Sequence, residues 1–157
     1  MADAGNLREA AARNQAATRR LAAIAAGPYD LTAAIDGEWT VEAHLAHIAF
    51  WDRFVLGVLD RWERGVAFRI EVPDWYDETL NAALAAGALA LPAGVGARLA
   101  LEAASAVDAR LAGLTPSEAS RLDADAALPE TDANWLVHRY RHREEHLDSI
   151  ETALGIR

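Results

Sequence analysis

Apolar residues recur three and four positions apart along most of this chain, the signature of amphipathic helices. Leu7, Ala10, Ala11, Ala17, Leu21 and Ile24 carry that spacing through an Ala-, Leu- and Arg-rich stretch, predicting a helix over 4–26 that Gly27-Pro28 stops. After the connection YDLTAAIDGEW, Thr40 has the form of an N-cap. The helix it opens runs to about Arg64 on Leu45, Ile48, Phe54, Val55, Val58, Leu59 and Trp62, with Gly65 as its end. Residues 66–73 read as extended, a lone strand without a partner. Asp74 is placed to cap a shorter helix over 75–90, and Pro92 marks a fresh start for a helix over 93–113. Thr115, Pro116, Ser117 and Glu118 have helix-start chemistry, while 119–130 is polar and reads as a loop. Thr131 or Asp132 then caps a last helix reaching about Leu154, with Gly155 as its stop. Four long helices with one or two short ones predict an all-α four-helix bundle with longer connections, one domain over 1–157.

Charge and composition narrow the function. The 157 residues carry 15 Arg, no Lys and 24 acidic residues, a net charge of −9. A negative chain repels nucleic-acid phosphates and anionic membranes, so neither is expected as a partner. Without Lys there is no lysine Schiff base, and without Cys there is no thiol nucleophile, thiolate ligand or disulfide. The N-terminus lacks the apolar core of a signal peptide and no apolar run reaches the length of a membrane span, which makes a cytoplasmic protein the expectation. Phosphate-binding glycine loops, dinucleotide fingerprints and serine-hydrolase elbows are absent from the sequence.

The histidines change the picture most. Three of five lie in HRYRHREEH, residues 138–146, four apart; the other two, His44 and His47, lie in EAHLAHIAFWD. Residues i and i+4 share a helix face, so His142 and His146 can chelate one ion from a single helix. His138 is a turn further back, and three in line span too far for one ion. A third ligand has to come from another helix, where His44 and His47 form an i,i+3 pair. Three imidazoles would leave a coordination position open, the pattern of catalytic rather than structural sites. Trp51, one turn beyond His47, and Asn81 are candidates to line a pocket, with bundle packing and a surface amide as the competing readings. Trp39, Trp62, Trp75 and Trp135 read mostly as packing. Asp52 and Glu145 neighbour the histidines in sequence but point away from the ligand direction, and no general acid or base emerges.

The segments EWTVEAHLAHIAFWD and HREEHLDSI, with DWYDETLNAAL between them, make the chain resemble the DinB/YfiT-like family from about residue 7 to 154. That family includes metal-dependent thiol transferases and maleylpyruvate isomerases. The resemblance implies a four-helix bundle and a divalent metal (Zn, Ni or Fe) held by His47, His142 and His146. It leaves His44 and His138 as extra residues, either orienting the ligands or, as expected here, simply exposed. It also implies a small electrophile as substrate, a low-molecular-weight thiol such as mycothiol as co-substrate in some branches, and a role in detoxification by S-transfer, isomerisation or hydrolysis. A non-catalytic protein that sequesters a small molecule, or a structural homodimer with a vestigial site, stands as the alternative.

Overall fold

A computed structural model describes residues 4–37, 39–66, 75–126 and 134–156. Its elements in order are α1 (Ala4–Ala26), β1 (Ala34–Asp36), β2 (Trp39–Thr40), α2 (Val41–Glu63), α3 (Tyr76–Leu89), α4 (Val95–Ala112), α5 (Pro116–Ala126), α6 (Asn134–Val137) and α7 (Arg139–Ala153). The described residues are therefore all-α apart from one small hairpin. The four longest helices pack around a shared core, α1 against α4 and α7, and α2 against the same two. None of the described helices is long and apolar enough to cross a membrane.

Local rules explain the helix ends. Thr40 caps α2 as expected, its hydroxyl accepting from the Ala43 N–H at 3.2 Å. Gly65, at φ 74, turns the chain out of α2 in the left-handed region that favours glycine. On α1 the buried positions are Ala10, Asn14, Ala17, Leu21 and Ile24, a four-three-four-three stripe facing the core.

Several sequence expectations are corrected. The connection YDLTAAIDGEW contains strands, β1 pairing antiparallel with β2. Residues 119–126 are not a loop but the body of α5. Thr115 and Glu118 form a capping box there: Glu118 Oε2 accepts from the Thr115 N–H at 2.9 Å, and Thr115 Oγ1 accepts from the Glu118 N–H at 3.3 Å. The last helix is not continuous. It breaks at His138, which leaves the helical region at ψ 47. Asn14 spans the break from α1, donating Nδ2–H to the Val137 carbonyl at 2.8 Å and accepting from the Tyr140 N–H at 2.7 Å. One amide thereby satisfies two backbone groups that the break leaves without helical partners. The extended stretch read over 66–73, and the caps at Asp74, Thr131 and Asp132, lie essentially outside the described residues, which resume at 75 and 134.

The α2–α4 contact depends on small residues. Gly96, Ala97, Ala100, Ala103 and Ala104 form the buried stripe of α4, letting the two backbones approach. A Cβ at Gly96 would lie 2.6 Å from the Glu42 carbonyl oxygen and 3.2 Å from the Ala46 nitrogen. The Gly96 N–H donates to Glu42 Oε1 at 2.5 Å, so a carboxylate from α2 serves the first turn of α4, whose own N-cap is a glycine without a side chain to do so. Gly96→Ala is expected to lower stability by about 1–3 kcal/mol, the usual cost of overpacking. Urea unfolding would read this as a lower midpoint at unchanged slope; an unchanged midpoint would show that the α2–α4 contact yields to an added methyl.

Candidate metal centre

The site forms where α2 and α7 face each other. On α2, His44, His47 and Trp51 follow helical spacing along one face. On α7, His142 and His146 stand one turn apart. His47 Nε2 and His142 Nε2 are 3.1 Å apart, although 95 residues separate them in sequence. The His146 ring centroid lies 4.6 Å from that of His47 and 4.7 Å from that of His142. One ligand atom from each of His47, His142 and His146 falls within 4.8 Å of the others, near enough to hold a metal ion.

The donor set suits such an ion. Nitrogens bound at about 2.0–2.1 Å to one ion lie roughly 3–3.4 Å apart, the range in which the His47–His142 pair already sits. All three rings are held neutral. Burial, reinforced by His44 and Arg139, pushes His47 down to about 4. Burial, with His47, His44 and Arg139, pushes His146 down to about 3. His142 is lowered further, by burial first and then by Arg139 and the neighbouring imidazoles. Neutral imidazole is the form that ligates.

A buried ionic layer lies directly behind these rings. Asp52 is 0% exposed. It accepts from Arg139 Nε at 2.9 Å and from Arg143 Nε at 2.8 Å. Arg143 also donates to Asp108 Oδ1 at 2.9 Å and to Thr18 Oγ1 at 3.0 Å. Arg139 and Arg143 form one stripe of α7, rotated about 60° from the stripe of His142 and His146. Arg139 Nη2 reaches His142 Nδ1 at 2.9 Å. A guanidinium only donates, so in the metal-free protein the hydrogen of neutral His142 lies on Nε2, facing His47; for Nε2 to ligate a cation as neutral imidazole, that hydrogen would have to move to Nδ1 and the Arg139 contact turn aside. His47 Nδ1 is buried without a hydrogen-bond partner among the described residues.

Aromatic rings flank the cluster. Trp39, from β2, packs its ring 5.4 Å from His44 and 6.0 Å from His47. Trp51 lies 6.3 Å from His47 and 6.5 Å from His142, and donates Nε1–H to Asn81 Oδ1 at 3.2 Å. Trp51 and Asn81 thus meet beside the site, the latter supplied by α3. Phe54 stacks on Trp135, as packing. Trp62 packs in the core and donates to Asp125 Oδ2, whereas Trp75 is exposed.

Two residues expected to be exposed are buried. His44 touches His146, Nδ1 to Nδ1 at 3.1 Å. His138 is 6% exposed and packs its ring edge-on against Tyr140, away from the three-histidine group. Sequence reasoning also passed over Arg139 and Asp36, and it set Asp52 aside as pointing off the ligand direction without seeing the arginines it pairs with. The available signal was the second i,i+4 pair, Arg139 and Arg143, beside the histidine pair, together with an Asp on the other helix. Comparison with known proteins finds no matching family model, no similar curated protein and no similar solved structure.

Proposed function

We propose that this chain is a metal-dependent enzyme on a four-helix bundle of the DinB/YfiT-like kind, acting on a small electrophile with a thiol or water as nucleophile. The observation that carries the reading is the convergence of His47, His142 and His146, ligand atoms within 4.8 Å, from two helices distant in sequence. Three neutral imidazoles with no carboxylate among them suit Zn, Ni or Fe better than Mg or Ca. A divalent ion held there supplies Lewis acidity toward a thiol or a water. The protein's part is positioning. Asp52 anchors Arg139, Arg139 holds the His142 ring in the metal-free protein and would release its Nδ1 when Nε2 ligates, and Trp39 and Trp51 wall the cluster with apolar surface that limits water. Asn81, oriented by Trp51, offers a polar contact at the edge.

The test is metal content, by elemental analysis of protein purified without a nickel column. The wild type is expected to carry about one equivalent, and the His142→Ala/His146→Ala double variant close to none. No metal in the wild type, even after supply of Zn, Ni and Fe, would overturn the reading. Metal-dependent thiol transfer or hydrolysis should then vanish on chelation and in His47→Ala; a compound still bound without metal would favour sequestration instead.

A further inference from the structure

The cluster contains a fourth imidazole outside the three-ligand set. His44 lies one turn before His47 on α2, with its Nδ1 3.1 Å from His146 Nδ1. Its other nitrogen, Nε2, faces Asp36 Oδ1 at 3.5 Å. Asp36 belongs to β1, so the hairpin is part of the site: β1 supplies this carboxylate, and β2 supplies Trp39, edge-on to the His44 ring.

The hydrogens in this chain can be placed by elimination. Two ring nitrogens at 3.1 Å hydrogen-bond only if one carries the hydrogen. A carboxylate oxygen facing a ring nitrogen accepts, so with one hydrogen on the His44 ring the contact with Asp36 draws it to Nε2. His44 Nδ1 is then an acceptor, and the shared hydrogen belongs to His146 Nδ1. A neutral imidazole has one N–H, which leaves His146 Nε2 with its lone pair. His142 is held the opposite way: Arg139 donates to its Nδ1, so its hydrogen sits on Nε2.

We propose that His44, backed by Asp36, is a positioning residue that sets the tautomer of His146, so that Nε2 is the atom His146 offers to a cation. The inference rests on the metal reading above for its purpose but not for its hydrogen-bond geometry. His44 accepts from the non-ligating nitrogen of His146, and Asp36 accepts from His44, so ring orientation and lone pair are both fixed before any ion arrives. The 3.5 Å contact to the exposed Asp36 is the weaker link, and the 3.1 Å contact between buried rings is the stronger.

Two measurements test this. Long-range proton–nitrogen NMR of the metal-free wild type should find His146 as the Nδ1–H tautomer and His44 as the Nε2–H tautomer. Zinc affinity, by competition with a chromogenic chelator, should fall about 10–100-fold in His44→Phe, which keeps a ring but removes the acceptor. His44→Gln, which restores an acceptor, should recover most of that loss, and Asp36→Asn should lose less than His44→Phe. Circular dichroism melting of each metal-free variant separates loss of the site from loss of the fold. His146 found as the Nε2–H tautomer would overturn the proposal, as would a His44→Phe affinity within about twofold of wild type. X-ray absorption of the zinc form counting four imidazoles, and three in His44→Phe, would overturn it by making His44 a ligand. A wild type that takes up no metal overturns the function proposed above, and the tautomers in the metal-free protein still decide the hydrogen-bond chain.

Discussion

Replacing Asp52 by Asn is expected to destabilise the protein by about 3–5 kcal/mol, the cost of removing one partner from a buried ion pair. Asp52 lies between Arg139 and Arg143, 2% and 0% exposed, accepting from one with each carboxylate oxygen. Asn keeps the shape and one acceptor oxygen but removes the countercharge. Burial already pushes the Arg139 pKa down, with Asp52 as the opposing influence. Among the described residues Arg143 retains Asp108, whereas Arg139 retains His142 and Trp135, so the damage should concentrate at the metal centre. Against a typical total of about 5–15 kcal/mol the loss is large. Urea unfolding at pH 7 measures it. A change below about 1 kcal/mol would show that the arginines find solvent or another partner when the carboxylate is gone.

The metal-free protein is expected to lose stability steeply as the pH falls below about 6.5, where histidines of an unfolded chain begin to protonate. In the folded state His47 stays neutral down to about 4 and His146 to about 3, with His142 lower still, chiefly because burial disfavours their charged forms. The sign follows from the proton count. Above the unfolded value both states hold these rings neutral, and stability is complete. Between about pH 6 and 4 the unfolded chain binds up to three more protons than the folded one, so stability falls as pH falls. Each proton contributes about 1.4 kcal/mol per pH unit, about 4 kcal/mol for three at full protonation of the unfolded state. Urea unfolding across pH 7, 6 and 5 reads the slope, and His142→Leu should remove about one proton from it. Equal stability at pH 6 and pH 5 would mean that the rings take up protons without unfolding.

Much of this architecture is legible in the chain itself, because the signals are local. The α1 stripe, the Thr40 cap and the Gly65 stop each depend on residues within a turn or two, and the described elements keep those limits. The i,i+4 spacing of His142 and His146 likewise depends only on helix geometry. The break at His138 was less readable, since its support comes from Asn14 in another helix. Asn14 does fall on the buried stripe of α1, where a polar residue among Ala10, Ala17 and Leu21 signals a partner across the core.

Helix period and capping chemistry are properties of neighbouring residues, so this sequence alone dictates where most of its helices run and which faces carry imidazoles. Burial of charge is different. Arg139 and Arg143 lie in a run that reads as a solvated face, and only the packing of α7 on α2 sets Asp52, 87 and 91 residues away, against them. A charge leaves water only where a countercharge waits, and that position depends on how helices pack. The same holds for His44. Its spacing places it on the face of His47, but the contact with His146, and the hairpin that brings Asp36 to its other nitrogen, exist only once α2, α7 and the hairpin have met.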